Sequence, residues 1–301
     1  MVERKPDWLK VKLGGGAEFV RLRELIHANG LHTVCEEALC PNMGECWGHG
    51  RATLMILGNI CTRGCLFCNV TSGRPCAPDA SEPNMVAKAI KSMGLKDVVI
   101  TSVTRDDLDD GGASIWAATI ECIHETVPGV RVEVLIPDFR GRDDSFRLVL
   151  NAAPEIVGHN LETVRSLCRK VRPDADYDRS LNLLKWFHNN GAITKSGIMV
   201  GLGETFEEVQ ELMSEVAGTG CDIFYVGQYL RPSKKHIAVS RYVEPGEFDS
   251  YLRYGYKVGF KVVVSAPLVR SSYHSDIQAD FIAKQLENRA ALSARRNDEK
   301  N

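Results

Sequence analysis

The chain has 301 residues, 44% of them hydrophobic, which is enough apolar material for one large α/β domain or two modest ones. Its formal net charge is −2, and basic and acidic residues are interspersed, so the charge pattern does not indicate a nucleic-acid-binding protein. No stretch approaches the roughly 18 consecutive apolar residues of a membrane span. We therefore expect a soluble protein with neither nucleic acid nor membrane as a partner.

Ten cysteines are the most unusual feature of the composition. The chain begins MVERKPDWLK, which has no apolar signal region, and this predicts a reducing, cytoplasmic environment where thiols stay free to bind metal. Disulfides are the weaker interpretation. Four cysteines belong to no motif. We interpret Cys122, Cys168 and Cys221 as packing residues and assign no role to Cys76.

Residues 1–50 are predicted to form a cysteine-rich N-terminal extension. Residues 18–28 place apolar side chains at helical spacing, which is typical of an amphipathic packing helix. Cys35, Cys40 and Cys46 then form a first triplet with C-x4-C-x5-C spacing. A proline and a glycine break this segment into turns, which lets the thiolates converge. A zinc site or three reduced packing cysteines remain alternatives for the first triplet.

Cys61, Cys65 and Cys68 form a second triplet, with C-x3-C-x2-C spacing, directly after a buried strand predicted over 53–57. Three thiolates on one loop can bind a single iron–sulfur cube and leave one iron without a protein ligand. An open iron can bind a small chelating cofactor, and S-adenosylmethionine is used with iron–sulfur centres in radical chemistry. A structural zinc is the alternative, although zinc sites usually complete a closed set of four ligands.

Strands alternate with helices between residues 51 and 240. Further strands are predicted over 97–101, 131–136, 155–157, 197–200 and 222–226, separated by helical segments near 84–93, 112–125, 146–152, 161–169, 180–189 and 205–217. Six βα units predict a parallel sheet, because parallel strands need long right-handed crossovers. An open or partial (βα)6 barrel of the TIM type fits this count, and active sites of such barrels gather at the carboxyl ends of the strands.

Polar segments follow these predicted strands. In TSVTRDDLDDGG, residues 101–112, Gly111 and Gly112 could let the backbone approach the amino-acid end of a ligand while Asp109 or Asp110 accepts from its ammonium group. A solvated loop that caps the next helix is the alternative. HNLETV, residues 159–164, follows the fourth strand, where Asn160 could simply cap a helix beginning at residue 161.

The segments nearer the C-terminus carry weaker signals. GLGET, residues 201–205, follows the fifth strand and is weak evidence alone. QYLRPSKK, residues 228–235, is predicted to be a loop whose cations could bind an anionic group on a cofactor or partner, although a solvated basic turn is the commoner situation. A helix over 247–258 and a strand over 261–265 then lead into RSSY at 270–273, within a predicted C-terminal extension, residues 241–301.

In combination these motifs resemble the lipoyl synthase family of the radical SAM superfamily. The resemblance rests on both cysteine triplets, on the aromatic Phe67 before the last cysteine, and on RSSY, and extends to TSVTRDDLDDGG, HNLETV and GQYLRPSKKH. It implies an α/β partial barrel of the radical SAM class with N-terminal and C-terminal extensions. It also implies an enzyme that inserts two sulfur atoms, at C6 and C8 of an octanoyl group attached to a carrier-protein lysine.

The resemblance further implies two [4Fe–4S] clusters and S-adenosylmethionine as cofactors. One cluster would be held by Cys61, Cys65 and Cys68, and an auxiliary, sulfur-donating cluster by Cys35, Cys40, Cys46 and a serine of RSSY. We assign that serine to Ser272, with Ser271 as the second choice. The predicted S-adenosylmethionine contacts, chosen by position at the barrel rim, are Asp110, Gly111, Gly112 and Asn160. No catalytic acid, base or nucleophile is assigned.

The implied partners are an octanoylated lipoyl carrier domain or the glycine cleavage H protein, and an electron donor such as ferredoxin or flavodoxin. Two alternatives stay open on the sequence alone. One is another radical SAM sulfur-inserting enzyme that resembles biotin synthase. The other is a two-cluster electron-transfer protein without a substrate, although such a carrier would have little use for a large barrel with polar loops at its strand ends.

Overall fold

A largely parallel sheet organises the part of the chain that the computed structural model describes, residues 4–11 and 14–271. The described residues contain ten strands, which are β1 His32–Thr33, β2 Thr53–Ile56, β3 Ile60–Cys61, β4 Thr71–Ser72, β5 Asp97–Ser102, β6 Arg131–Leu135, β7 Ile156–Gly158, β8 Thr194–Val200, β9 Ile223–Gln228 and β10 Val262–Ser265. Eight of them form one sheet in the order β1-β2-β5-β6-β7-β8-β9-β10. Only β1 runs antiparallel in that sheet, and β3 pairs separately with β4.

Ten α-helices of the described residues surround this sheet. They are α1 Ala17–Ala28, α2 Val34–Glu37, α3 Met43–Gly48, α4 Glu82–Met93, α5 Ala113–Thr126, α6 Asp143–Asn151, α7 Arg165–Val171, α8 Tyr177–Asn189, α9 Phe206–Gly218 and α10 Pro245–Val258. Helices α4 to α10 form the six crossovers between successive parallel strands, with α7 and α8 sharing one of them. Within residues 4–11 and 14–271 the edge strands β1 and β10 are not paired with each other, so the sheet stays open. The predicted partial (βα)6 barrel is confirmed.

The strands are buried because helices cover the sheet. All six residues of β9 are buried, as are four consecutive residues of β5, which accounts for their continuous apolar sequences. The covering helices present apolar stripes to the sheet, and two of them, α8 and α9, begin at a side-chain cap. At the start of α9, for example, Thr205 Oγ1 accepts from the Glu208 N–H at 3.2 Å and the Glu208 carboxylate accepts from the Thr205 N–H at 2.8 Å.

Most predicted elements lie within a few residues of their observed bounds, but the segment after β7 differs. A helix was predicted over 161–169, whereas α7 begins at Arg165. The chain first runs alongside β8, where Glu162 adopts a φ of 66° and forms a bridge with Ile198. Asn160 therefore does not cap a helix at residue 161. This path depends on pairing with a distant strand, which local periodicity does not report.

The first cysteine triplet also differs from the expected run of turns. Cys35 lies in α2 and Cys46 in α3, and Cys40 lies in the turn between these two short helices. Thr33 begins α2 by accepting a hydrogen bond from the Glu36 N–H at 3.2 Å. The thiols still lie near one another, because Cys40 affects the pKa of Cys35, and Cys35 and Cys40 both affect the pKa of Cys46.

A hydrogen bond joins the chain segment before the barrel to the segment after it. Asn42 Nδ2 donates to the Leu268 carbonyl oxygen at 2.6 Å, and Asn42 is only 3% exposed. The main apolar core includes Leu22 from the N-terminal segment, Ile90 from the barrel and Val263 from the C-terminal segment. The proposed boundaries after residues 50 and 240 thus divide a continuously packed core. Residues 272–301, including Ser272 and the predicted C-terminal tail, lie outside the described residues.

Gly197 gives a test of packing inside the barrel. A Cβ atom at this position would lie 2.3 Å from the Tyr225 ring. That ring cannot move freely, because the Tyr225 hydroxyl bonds to Asn160 and to Ser271. We expect Gly197→Ala to lower the free energy of unfolding by about 1–3 kcal/mol, measured by urea denaturation under anaerobic, reducing conditions.

Gly218→Ala is the matched control, since the same substitution at the end of α9 meets nothing within 4 Å. It should raise the free energy of unfolding by up to about 1 kcal/mol, because alanine favours a helix more than glycine does. Equal stability of the two variants would show that the barrel interior accommodates the extra methyl group.

Candidate active site

A cavity of about 340 Å³ lies at the carboxyl ends of the parallel strands. All three cysteines of the second triplet line it, together with Cys35 and Cys40 of the first. Arg270 and Ser271, the first two residues of RSSY, line it as well. The structure thus brings the two triplets, which are separate in the sequence, to the same cavity.

Cys46 lies on the opposite side of the first triplet. It lines a second cavity, of about 390 Å³, at the amino ends of the strands, where Arg131 of β6 and Ile156 of β7 also contribute to the wall. Cys35 lines both cavities. The first triplet therefore lies between the carboxyl-end cavity and the amino-end cavity.

The loop that carries the second triplet is fastened to the loop after β5. Thr62 donates through both its N–H and its hydroxyl to the Thr104 carbonyl oxygen, at 3.0 and 2.9 Å. Cys61 Sγ accepts backbone N–H groups from Arg63 at 3.4 Å and from Thr104 at 3.3 Å. Backbone donors aimed at sulfur stabilise negative charge there, as a thiolate ligand requires.

Arg63 holds this cluster loop, residues 59–70, against two carboxylates. Its guanidinium donates to Asp106 at 2.7 and 3.0 Å and to Asp138 at 3.1 and 2.6 Å. Arg63 is 6% exposed and Asp138 is fully buried. Burial alone would raise the pKa of Asp138, but the hydrogen bonds and charge of Arg63 outweigh it and hold that pKa well below its usual range. This geometry fixes the loop through bidentate contacts that a lysine could not reproduce.

The thiols of the second triplet lie close enough to affect one another. Burial raises the pKa of Cys65 and raises that of Cys68 to about 12, and in each case a neighbouring thiol of the triplet adds to the rise. The Cys65 and Cys68 thiols are therefore protonated at neutral pH in the absence of metal. Iron binding must displace these protons, as is general for thiolate ligands.

The first triplet has the same electrostatic character. Burial raises the pKa of Cys35 to about 11, with a further contribution from Cys40. It raises the pKa of Cys46 to about 12, with contributions from both other thiols. Across the described part of the chain no three His, Cys, Asp or Glu side chains surround one point as they would a single metal ion.

His159 faces the cavity but has both ring nitrogens engaged. Nδ1 lies 2.8 Å from the Ile136 carbonyl oxygen, and Nε2 lies 2.9 Å from Ser180 Oγ. Burial is the main cause that lowers the pKa of His159 to about 4. The side chain is therefore neutral at physiological pH, with Nδ1 donating and Nε2 accepting, and it braces β7 against α8.

Asn160, a predicted cofactor contact, does line the cavity. Its Nδ2 donates to Glu162 Oε1 at 3.0 Å, and its Oδ1 accepts from the Tyr225 hydroxyl. Glu162 and Tyr225 also line the cavity, and the sequence analysis identified neither. The acidic residue of HNLETV could have indicated Glu162, whereas Tyr225 sits inside an apolar strand and carries no signal.

Arg172 is a third residue of the cavity that the sequence did not predict. It is 8% exposed, and its Nη1 donates to the carbonyl oxygens of Asn160 at 3.1 Å and Leu161 at 2.8 Å. Its Nε is buried without a hydrogen-bond partner in the residues that the structure describes. Its charge acts on Cys65, where it opposes the rise in pKa. A buried donor without a partner, next to a thiol ligand, suits an anionic ligand group.

The other three predicted cofactor contacts, Asp110, Gly111 and Gly112, are absent from the described lining of the cavity. The Asp110 carboxylate accepts from the N–H groups of Gly112 and Ser114, both at 2.8 Å, and so stabilises the start of α5. Gly112 has a φ of 88°, and a Cβ there would lie 2.5 Å from Leu57. A cofactor role for these three residues stays a prediction.

Comparison with known proteins connects this geometry to a family. Residues 55–216 match the model of the radical SAM superfamily. The lipoyl synthase of Methylococcus capsulatus is 52% identical over 284 residues, which cover 93% of this chain and 88% of the relative. The chain belongs to the lipoyl synthase family. Membership of this family makes it a radical SAM sulfur-inserting enzyme with a [4Fe–4S] cluster and S-adenosylmethionine as cofactors.

Solved structures support the fold of this lipoyl synthase. SuiB from Streptococcus suis, bound to S-adenosylmethionine, is 12% identical with a TM-score of 0.59, over 74% of this chain and 53% of that one. Methylornithine synthase is 15% identical with a TM-score of 0.55, over 90% and 92%. At these identities the likeness concerns the fold alone.

Two further expectations bear on this lipoyl synthase. All ten cysteines are free thiols. Among residues 4–11 and 14–271, each helix is too short or too polar to cross a membrane.

The neutral state of His159 makes the stability of the fold depend on pH. Its folded-state pKa, about 4, lies below the ordinary value of 6.5. Between about pH 4 and pH 6.5, His159 therefore binds a proton in the unfolded chain but not in the folded chain. The neutral His159 side chain contributes about 3 kcal/mol to the free energy of unfolding. This contribution is complete above pH 6.5 and is lost as the pH falls towards 4.

We expect His159→Gln to show a shallower loss of unfolding free energy between pH 6.5 and 4 than the unsubstituted protein, measured by urea denaturation across that range. His49→Gln, the same substitution at an exposed position, is the control variant. Parallel pH profiles for His159→Gln and the unsubstituted protein would contradict the assignment of a buried neutral imidazole.

Proposed function

We propose that this lipoyl synthase inserts two sulfur atoms, at C6 and C8 of an octanoyl group on the lysine of a lipoyl carrier domain. The observation that carries the proposal is the cavity at the carboxyl ends of the strands, which all three cysteines of the second triplet and two of the first line. A radical centre and a sulfur source must both reach the same carbon chain. A shared cavity satisfies that requirement, whereas two separate surface sites would not.

Cys61, Cys65 and Cys68 are the proposed ligands of the cluster that binds S-adenosylmethionine. Together, a [4Fe–4S] cluster and S-adenosylmethionine supply one-electron chemistry that removes hydrogen from an unactivated carbon. The protein contributes orientation and the exclusion of water. Arg63 fixes the cluster loop, while Phe67 and Tyr229 supply apolar wall.

Arg172 is the proposed partner of the cofactor carboxylate. Its buried Nε has no partner in the described part of the chain, and its charge reaches Cys65. A carboxylate beside Cys65 would satisfy this donor through a charge-assisted hydrogen bond. Asn160 helps to position Arg172, because the Asn160 carbonyl oxygen accepts a hydrogen bond from Arg172 Nη1.

The proposed auxiliary cluster has Cys35, Cys40, Cys46 and Ser272 as ligands and is the source of sulfur. Asn42 holds the C-terminal segment beside the first triplet through its bond to Leu268. Burial lowers the pKa of Arg270, while the neighbouring Cys40 and Glu162 oppose this, so RSSY begins next to the first triplet. The Ser271 hydroxyl already bonds to Tyr225. This supports the adjacent Ser272 as the ligand.

The partners follow from the same proposal. The substrate would be an octanoylated lipoyl domain or the glycine cleavage H protein, because both present a lysine on a folded domain. Ferredoxin or flavodoxin would supply the electrons, and the reaction would take place in the cytoplasm, where thiol ligands remain reduced.

Substitutions in the two triplets should affect deoxyadenosine release and sulfur insertion differently. Reconstituted protein is mixed anaerobically with dithionite, S-adenosylmethionine and an octanoyl-lysine peptide, and released deoxyadenosine and peptide mass are followed. We expect Cys65→Ala to lose both deoxyadenosine release and sulfur insertion. Cys40→Ala should still release deoxyadenosine but should add no sulfur, because the proposed sulfur source would be missing.

Cys76→Ala is the control, since Cys76 is exposed and belongs to neither triplet. It should retain both activities. Deoxyadenosine release by Cys65→Ala would exclude the second triplet as the radical site. Sulfur insertion by Cys40→Ala would exclude the first triplet as the sulfur source.

Arg172→Met should weaken S-adenosylmethionine binding to the reconstituted enzyme by about 10- to 100-fold. This corresponds to the loss of a charge-assisted hydrogen bond of about 1.5–3 kcal/mol. Equilibrium binding of the cofactor measures the effect. Arg169→Met, at an exposed position on α7, is the control and should bind normally. Equal affinity for both variants would remove Arg172 from the cofactor site.

A further inference from the structure

The loop after β9 is folded by its own arginine. Arg231 Nε donates to the His236 carbonyl oxygen at 2.8 Å, and its Nη2 donates to the Lys234 carbonyl oxygen at 2.5 Å. The Ser233 hydroxyl lies 3.0 Å from His236 Nδ1. Arg231, one of the three cations of QYLRPSKK, therefore uses two of its nitrogens to hold the loop.

The same loop is attached to the cluster loop. His236 Nε2 lies 3.1 Å from the Cys68 carbonyl oxygen, and the Ile237 N–H donates to the Leu66 carbonyl oxygen at 3.0 Å. The Tyr229 hydroxyl donates to the Ile237 carbonyl oxygen at 2.9 Å. These bonds hold the tip of the loop in a fixed position beside the mouth of the carboxyl-end cavity.

Lys234 and Lys235 form that tip. Both side chains are exposed, and neither ammonium group has an ion-pair partner within the described ranges. Two adjacent cations on a fixed loop repel each other, and no carboxylate of the described chain compensates them. A solvated basic turn needs no such attachment to the cluster loop, so the arrangement favours an acidic partner.

Two exposed leucines lie beside the same cavity. Leu39, which lines its wall, is 60% exposed with a φ of 52°, and Leu66, between two cysteines of the cluster loop, is 44% exposed. Single exposed leucines are normal on protein surfaces. Here they adjoin an unpaired cationic pair at the entrance to a buried site, which is the composition of a protein interface with an apolar part and a charged rim.

We propose that Leu39, Leu66, Lys234 and Lys235, the docking rim, bind a folded carrier domain that has carboxylates around its octanoylated lysine. This inference rests on the proposed function, which requires such a lysine to extend into the cavity. The carrier surface must then approach the cavity mouth. The leucines contact apolar surface next to the lysine, and the two ammonium groups pair with the surrounding carboxylates.

The test compares two substrates of the same enzyme. One is an octanoylated lipoyl domain with an acidic surface around the lysine, and the other is a short, uncharged octanoyl-lysine peptide. We expect the double variant Lys234→Glu/Lys235→Glu to lower the ratio of kcat/KM for the domain to kcat/KM for the peptide by about 10-fold or more. Raising the salt concentration should lower the same ratio in the unsubstituted enzyme.

Lys88→Glu/Lys185→Glu is the matched control. It makes the same change in net charge at exposed lysines on α4 and α8, two of the helices that cover the sheet. The control should leave the ratio unchanged. A carrier domain whose surface carboxylates are replaced by amides should no longer distinguish the rim variant from the control.

Binding of the domain, followed by fluorescence anisotropy with reconstituted enzyme, separates this inference from the proposed function. Absence of turnover on both substrates would contradict the proposed function, while weaker binding by the rim variant would still support the rim. Equal domain affinity for the rim variant and the control would overturn the docking rim, even if sulfur insertion proceeds normally.

Discussion

The contact between Arg63 and its two carboxylates is the interaction on which the site depends most. One guanidinium joins the cluster loop to the loop after β5 through Asp106 and to the segment after β6 through Asp138. Removing Arg63 would leave Asp138 charged and buried, with one ion pair to the partly exposed Arg179 and one hydrogen bond from the Arg140 N–H. Breaking such a pair costs about 3–5 kcal/mol. The positions of all three thiols of the second triplet follow from this buried pairing.

A different set of contacts positions the first triplet. Its short helices have little stability alone, because helices of four to six residues cannot offset the cost of nucleation. They depend on the packed Trp47, on the N-cap at Thr33 and on the bond from Asn42 to Leu268. The last of these joins segments that are 226 residues apart, so the barrel must fold before the site is complete.

Local patterns in the sequence predicted the repeated elements well. Apolar runs and helical periodicity located every parallel strand and every crossover helix, because both depend on which residues face the core. Cysteine spacing indicated two thiol sets for a similar reason. Spacing did not reveal that Cys46 faces the amino-end cavity, since α3 determines that orientation.

The polar residues around the cavity were harder to predict. Glu162 is positioned by its bridge to β8, and Tyr225 fits the barrel interior only because Gly197 has no side chain. Arg172 is identified by an unpaired Nε, a property of its surroundings. Conversely, the glycines of TSVTRDDLDDGG pack under Leu57 and Phe139. Glycine pairs occur in many structural turns, so their presence alone does not specify a ligand contact.

Burial raises the pKa values of Cys68 and Cys46, and this affects both metal binding and the exclusion of water from the reacting groups. Protonated, buried thiols are weak ligands, and any metal that bound Cys68 or Cys46 would have to displace a proton in surroundings that disfavour charge. The same low polarity strengthens every hydrogen bond to the ligands once charge is present. An exposed loop would bind metal more easily but would admit water to the reacting carbon chain. The barrel therefore buries its thiols at a cost in metal affinity and gains a dry site for radical chemistry.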